Sequence, residues 1–127
     1  MIFSMHRISV PVYDQMLTNL DYVFEQAADF IAEKGIDEGE LMQRRLYPDM
    51  FTLGQQVLRA CEHSAVAMSR LAGIEAPDFS ADPDTSIAAA RARMATARDF
   101  INAITPDQLE GDPDRPITLK VRLGEVT

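Results

Sequence analysis

Prolines and glycines divide this chain into three long stretches of helical periodicity, and that division limits its fold more than any other feature. The first stretch covers residues 9–34. Advancing about 100° per residue puts Val12, Met16, Leu20, Val23, Phe24, Ala27, Phe30 and Ile31 on one broad arc. Asp14, Asp21, Glu25, Asp29 and Glu33 fall on the opposite side, so the predicted helix is amphipathic with an acidic outer face. A solvated face explains that stripe more simply than a docking surface. Ser9 and Pro11 fit the start, because a first-turn proline has no N–H to lose. Gly35 fits the end as a left-handed cap.

A short helix is predicted over 37–46, where Asp37 and Glu40 have capping-box spacing, and Pro48 interrupts the pattern. The second long helix starts at Asp49 or Thr52 and runs to residue 72. Asp49 is one cap candidate, and Thr52 with Gln55 is the other. Gly73 closes it, with Pro77 shortly after. Residues 77–84 (PDFSADPD) read as a loop. The third long helix is predicted over 83–104, capped by Asp82 with Pro83 in its first position. Ile87, Ala90, Met94, Ala97, Phe100, Ile101 and Ile104 form its apolar stripe, and its many alanines favour the helix and permit close packing.

Past Pro106 the period changes. Gly111, Pro113 and Pro116 mark an irregular stretch. Ile117, Leu119, Val121 and Leu123 then alternate with Thr118, Lys120 and Arg122, as in a half-buried strand. Gly124 fits a turn, and Val126-Thr127 the start of a return strand. The expected fold is therefore all-α with a short C-terminal β-strand or hairpin.

Composition excludes several functions. Twenty acids against twelve bases leave a net charge of −8, the wrong sign for nucleic acid or an anionic membrane surface. No stretch approaches the roughly 20 apolar residues of a membrane span, and Met1 to Arg7 lacks the pattern of a signal peptide. One cysteine permits no intrachain disulfide, so a cytoplasmic location is expected. At 127 residues the chain reads as a single domain.

The run Leu46-Tyr47-Pro48-Asp49-Met50-Phe51, followed by Gln56-Val57 and Leu71-Ala72-Gly73 and preceded by Ser9-Val10-Pro11-Val12, resembles a bacterial family of unknown function in the DinB/YfiT-like superfamily. The resemblance covers essentially residues 1–127. It implies an up-down four-helix bundle with a long link between the second and third helices. It also implies a fourth helix after the hairpin, which this sequence lacks, so the domain is expected to be C-terminally incomplete. Some members of the superfamily are metal-dependent enzymes that use low-molecular-weight thiols, through one His on the second helix and a His-x-x-x-His pair on the fourth.

Only His6 and His63 are present, and no His-x-x-x-His, so one chain cannot build that triad. His63 lies on the helix where the superfamily places its first ligand, and is the one metal candidate. On the helical wheel it falls about 120° from the centre of the arc of Met50, Leu53, Val57, Ala60, Cys61, Ser64, Met68 and Leu71. That is the polar face, which favours a surface histidine over a ligand. His6 reads as a plain terminal histidine ahead of the first helix. Cys61 lies on the apolar arc, away from any helix N-terminus, and reads as a buried structural thiol. The acidic loops at Asp78, Asp82 and Asp84 and at Glu110, Asp112 and Asp114 do not match a calcium loop. Capping and solubility explain them. Met16, Met50, Met68 and Met94 are expected to fill core gaps, with an adaptable pocket for a small apolar ligand as the weaker alternative.

The function expected is a non-enzymatic interaction or small-ligand-binding bundle without a catalytic or cofactor site. The alternative is a metal-dependent (Zn or Ni) thiol S-transferase or hydrolase completed outside residues 1–127. The missing fourth helix would leave an apolar face, for which a homodimer through the first and third long helices is the expected cover.

Overall fold

Five helices and one hairpin make up the computed structural model, which describes residues 3–121 and 123–126. Helix α1 (Met5–Lys34) begins before its proline, not at Ser9 as the sequence suggested. Ser4 caps it, its Oγ accepting from the Arg7 N–H at 3.3 Å. Ser9 is therefore inside the helix, with its Oγ donating to the Met5 carbonyl at 2.6 Å. Pro11 sits in the interior, where it cannot donate to the carbonyl four residues back. Tertiary contacts outweigh that loss, because Val10 is buried in the core and His6 is tied to the far end of another helix.

Helix α2 (Glu38–Met42) is shorter than the expected 37–46. The Asp37 carboxylate accepts from the Glu40 N–H at 2.9 Å, but the Glu40 side chain turns to Arg44 at 3.1 Å, so only half of the expected box forms. Thr52, not Asp49, caps α3 (Leu53–Ala72), in a complete capping box with Gln55. Gly73 ends α3 at φ 69°, the left-handed cap that its position implied.

Helix α4 (Ile87–Asn102) starts four residues later than expected. Ser86, not Asp82, supplies the cap, accepting from the Ala89 N–H at 3.1 Å. The carboxylate of Glu38 accepts from the Ile87 N–H at 2.6 Å, which pins the first turn from outside. Asp84 is taken up elsewhere, in a two-pronged ion pair with Arg93 at 2.7 and 3.2 Å that leaves both side chains only 12–13% exposed. The stretch expected to be irregular contains a one-turn helix, α5 (Pro106–Leu109), with Thr105 at its N-cap. Strands β1 (Leu119–Val121) and β2 (Gly124–Val126) pair antiparallel, with Leu119 opposite Val126 and Val121 opposite Gly124. Gly124, the expected turn residue, is thus already in β2. Arg122 and Thr127 of the predicted strands lie outside the described residues.

The helix directions follow from side-chain pairs. Arg91 meets Asp21 and Arg98 meets Asp14, so α1 and α4 are antiparallel. The start of α3 lies beside Asp84 and its end beside Arg115, so α3 runs parallel to α4. The link over 73–86 must therefore return along α3, about 30 Å long, which its reach of about 45 Å allows. Phe79 anchors that link in the core.

Helix α4 packs against both α1 and α3, which touch each other far less. Its stripe of Ile87, Ala90, Met94, Ala97 and Ile101 is buried between them. The stripe expected to meet a second subunit is thus already used inside the chain. Met68 and Met94 fill the core as expected, joined by Met42, whereas Met16 and Met50 face outward. The acidic stripe of α1 also divides: Asp14 and Asp21, still partly exposed, pair with Arg98 and Arg91 of α4.

Candidate functional site

Because α1 and α3 meet weakly, an apolar groove of about 460 Å³ opens between them. Tyr13, Met16, Leu20 and Val23 form its α1 wall; Ala60, His63 and Ser64 form its α3 wall. Short side chains on α3 keep that wall low. The α1 wall continues as an exposed seam of Ile8, Val12, Met16, Val23 and Phe30, each between 51% and 62% exposed. These residues recur at helical spacing on one side of α1, the pattern of a face prepared for another helix.

His63 stands at the edge of this groove, exposed, and also lines a shallow depression with Arg59, Glu62, Val66 and Arg70 on α3 itself. The wheel placed it on a polar face; the structure places it where that face meets the groove. No group of three or more His, Cys, Asp or Glu side chains converges to hold a metal among the described residues. A zinc site needs three or four protein ligands, and His63 offers one. The residues present do not fit the three-histidine metal site of the superfamily.

His6 lies in the first turn of α1, and its Nε2 bonds the Ile104 carbonyl at 3.1 Å. The carbonyl only accepts, so Nε2 carries the proton. This is a structural tie between the start of α1 and the end of α4, not a plain terminal histidine. No local pattern announces it, because the partners are 98 residues apart.

Cys61 is fully buried, and burial pushes its thiol up to about 11 despite the nearby Arg93 guanidinium. It is a core residue in the sense expected from its arc, with little thiolate to offer. The two acidic loops are also occupied locally. Asp78 accepts from the Ser80 N–H at 2.8 Å, and Asp112 from the Asp114 N–H at 2.9 Å, both short-range turn bonds.

Two other depressions are lined by different residues. One of about 510 Å³ lies between Phe3, Ile8, Leu71, Leu109 and Ile117, beside the Arg115 guanidinium, which donates to the Leu71 carbonyl. The other lies under the 46–51 run, where Leu46, Tyr47, Met50 and Phe51 are all exposed and Arg59 stacks on Phe51 at 5.8 Å. The 46–51 run that helps carry the family resemblance is therefore a surface feature.

This arrangement of helices is that of a DinB-like bundle. A similar solved structure is that of a DinB family member protein from Shewanella denitrificans, at 28% identity and a TM-score of 0.73. The match covers 83% of this chain and 60% of that one, so the chain spans less than two thirds of its solved relative. Residues 5–127 match the domain of unknown function DUF1993, and the chain belongs to that family. No curated protein matches. No helix among the described residues is long and apolar enough to cross a membrane.

Proposed function

We propose that this chain works by binding, in the cytoplasm, and that its working surface is the groove between α1 and α3. The observation that carries this reading is the apolar groove itself. Its volume of about 460 Å³ falls in the range of small-ligand sites, and its walls are two long helices with apolar side chains left open. A helix or a small apolar molecule fits such a surface. The buried Cys61, its thiol raised to about 11, offers little nucleophilic chemistry at pH 7.

A second reading is a metal-dependent thiol S-transferase or hydrolase whose remaining ligands come from outside residues 1–127. The position of His63 on the α3 wall favours it.

An apolar fluorescent dye such as Nile red tests the first reading. Saturable binding, weakened by Leu20→Asp on the groove wall, is expected; absence of binding at every concentration would count against a ligand-binding groove. Metal analysis of protein purified without a histidine tag separates the second reading. The expected result is no stoichiometric Zn or Ni, and a stability change below about 0.5 kcal/mol for His63→Gln. One equivalent of metal that disappears in His63→Gln would establish the second reading instead.

A further inference from the structure

The loop between α5 and β1 holds a cation that no carboxylate answers. Arg115 is half-buried, and among the described residues it forms no ion pair. Glu110 and Asp112 are near in sequence, but both are exposed, and the Asp112 carboxylate accepts from the Asp114 N–H. Backbone groups fix Arg115 instead. Its own N–H donates to the Asp112 carbonyl at 3.2 Å, and its guanidinium donates to the Leu71 carbonyl in the last turn of α3. That carbonyl has no partner within its helix, and a cation there meets the negative end of the helix dipole. Gly111 makes room for the guanidinium. Its φ is 140°, which disfavours any side chain, and a Cβ there would lie 3.3 Å from Arg115 Nη1.

Beside this held guanidinium lies the cavity of about 510 Å³ at the end of the bundle, a volume in the range of small-ligand sites. Phe3, Met5 and Ile8 at the start of α1, Leu71 of α3, Leu109 of α5 and Ile117 give it mainly apolar walls. None of its lining residues lines the α1–α3 groove.

We propose that this cavity binds a carboxylic acid with an aliphatic tail, the carboxylate on Arg115 and the tail along Ile8, Leu109 and Ile117. The site is separate from the groove and does not rest on the role proposed for it. A guanidinium has five N–H donors in a planar fork, and the bond to Leu71 leaves others for a ligand. The fork matches the two oxygens of a carboxylate. One negative charge suits the site better than two, because the second charge of a phosphate would face Glu110 and Asp112 on the same cavity. The apolar walls call for the tail, which leaves water on binding.

Isothermal titration calorimetry at pH 7 with sodium octanoate, below its micelle-forming concentration, tests the site, with 1-octanol as a probe of equal tail and no charge. One equivalent of octanoate is expected to bind, and octanol to bind about tenfold more weakly or worse, because it lacks the charge-assisted hydrogen bonds. Arg115→Gln should weaken octanoate by about tenfold or more and bring the two probes to similar affinity. Met5→Glu adds a carboxylate at a position already 39% exposed. It should weaken octanoate more than octanol with circular dichroism unchanged, which keeps the test decisive if loss of the Arg115 tie unfolds the chain. Equal affinity of the wild type for both probes would overturn the inference. So would octanoate binding that neither variant weakens, or no octanoate binding in the millimolar range. Octanoate displaced mole for mole by Nile red would move it to the α1–α3 groove and remove this site. Octanoate binding by a chain that binds no Nile red would leave this site standing and remove the groove reading alone.

Discussion

The carboxylate of Glu38 accepts a hydrogen bond from the backbone N–H of Ile87 at 2.6 Å, joining two residues 49 positions apart. The first N–H groups of a helix have no partner within it, and a negative charge there also meets the positive end of the helix dipole. Glu38 therefore decides where α4 begins, together with Ser86. Removing it should cost stability: Glu38→Ala is expected to lower unfolding free energy by about 1–2 kcal/mol, with Glu38→Gln recovering part of the loss. Urea denaturation followed by circular dichroism measures both; equal losses for Ala and Gln would show that the charge, not the hydrogen bond, matters.

Gly54 is a second junction. A Cβ built there would lie 2.6 Å from the Asp84 carbonyl oxygen and 3.4 Å from that of Met42, both backbone atoms. The link after α3 and the end of α2 close onto the first turn of α3 at that point. Alanine normally improves a helix, yet Gly54→Ala is expected to destabilise by about 1–3 kcal/mol, because backbone must move to admit it. A midpoint at or above wild type in urea would contradict the close approach.

Acid should loosen the contact between α1 and α4. The Asn102 amide, with Arg98, holds the Asp14 carboxyl below its ordinary value, and Arg91 does the same for Asp21. A carboxylate with a lowered folded pKa contributes stability at pH values above its unfolded pKa and loses it as pH falls through the folded one. Stability should therefore be level near neutrality and fall below about pH 4. Both pairs are partly exposed, so each is worth only about 0.2–1 kcal/mol. Asp14→Asn and Asp21→Asn together should flatten the acid limb of the stability–pH curve; an unchanged limb would place the acid sensitivity elsewhere.

Cys61 should react slowly with thiol reagents in the native protein and rapidly in denaturant. Its sulfur is fully buried and its thiol is raised to about 11, so the reactive thiolate is scarce as well as shielded. Fast native labelling would mean that the core around α3 opens.

Sequence alone determined what local chemistry determines. The period of apolar residues set the three long helices, Thr52 with Gln55 set the start of α3, and Gly35 and Gly73 set two helix ends, because caps and left-handed turns act within a few residues. The burial of Cys61 and the core role of Met68 and Met94 followed from the same arcs. Only tertiary structure decided which arcs were used. Val12, Met16, Val23 and Phe30 look in sequence like core residues, but the core of α1 is taken by Val10, Leu17 and Phe24, and the others remain as an open seam. The start of α4 depended on Glu38, the fate of Asp14 and Asp21 on two arginines of α4, and the role of His6 on the Ile104 carbonyl. Each of these partners is far away in the chain. An amphipathic pattern states that a helix has an apolar side, but how wide that side is and which neighbour covers each part depend on helices packed at angles that no local spacing encodes.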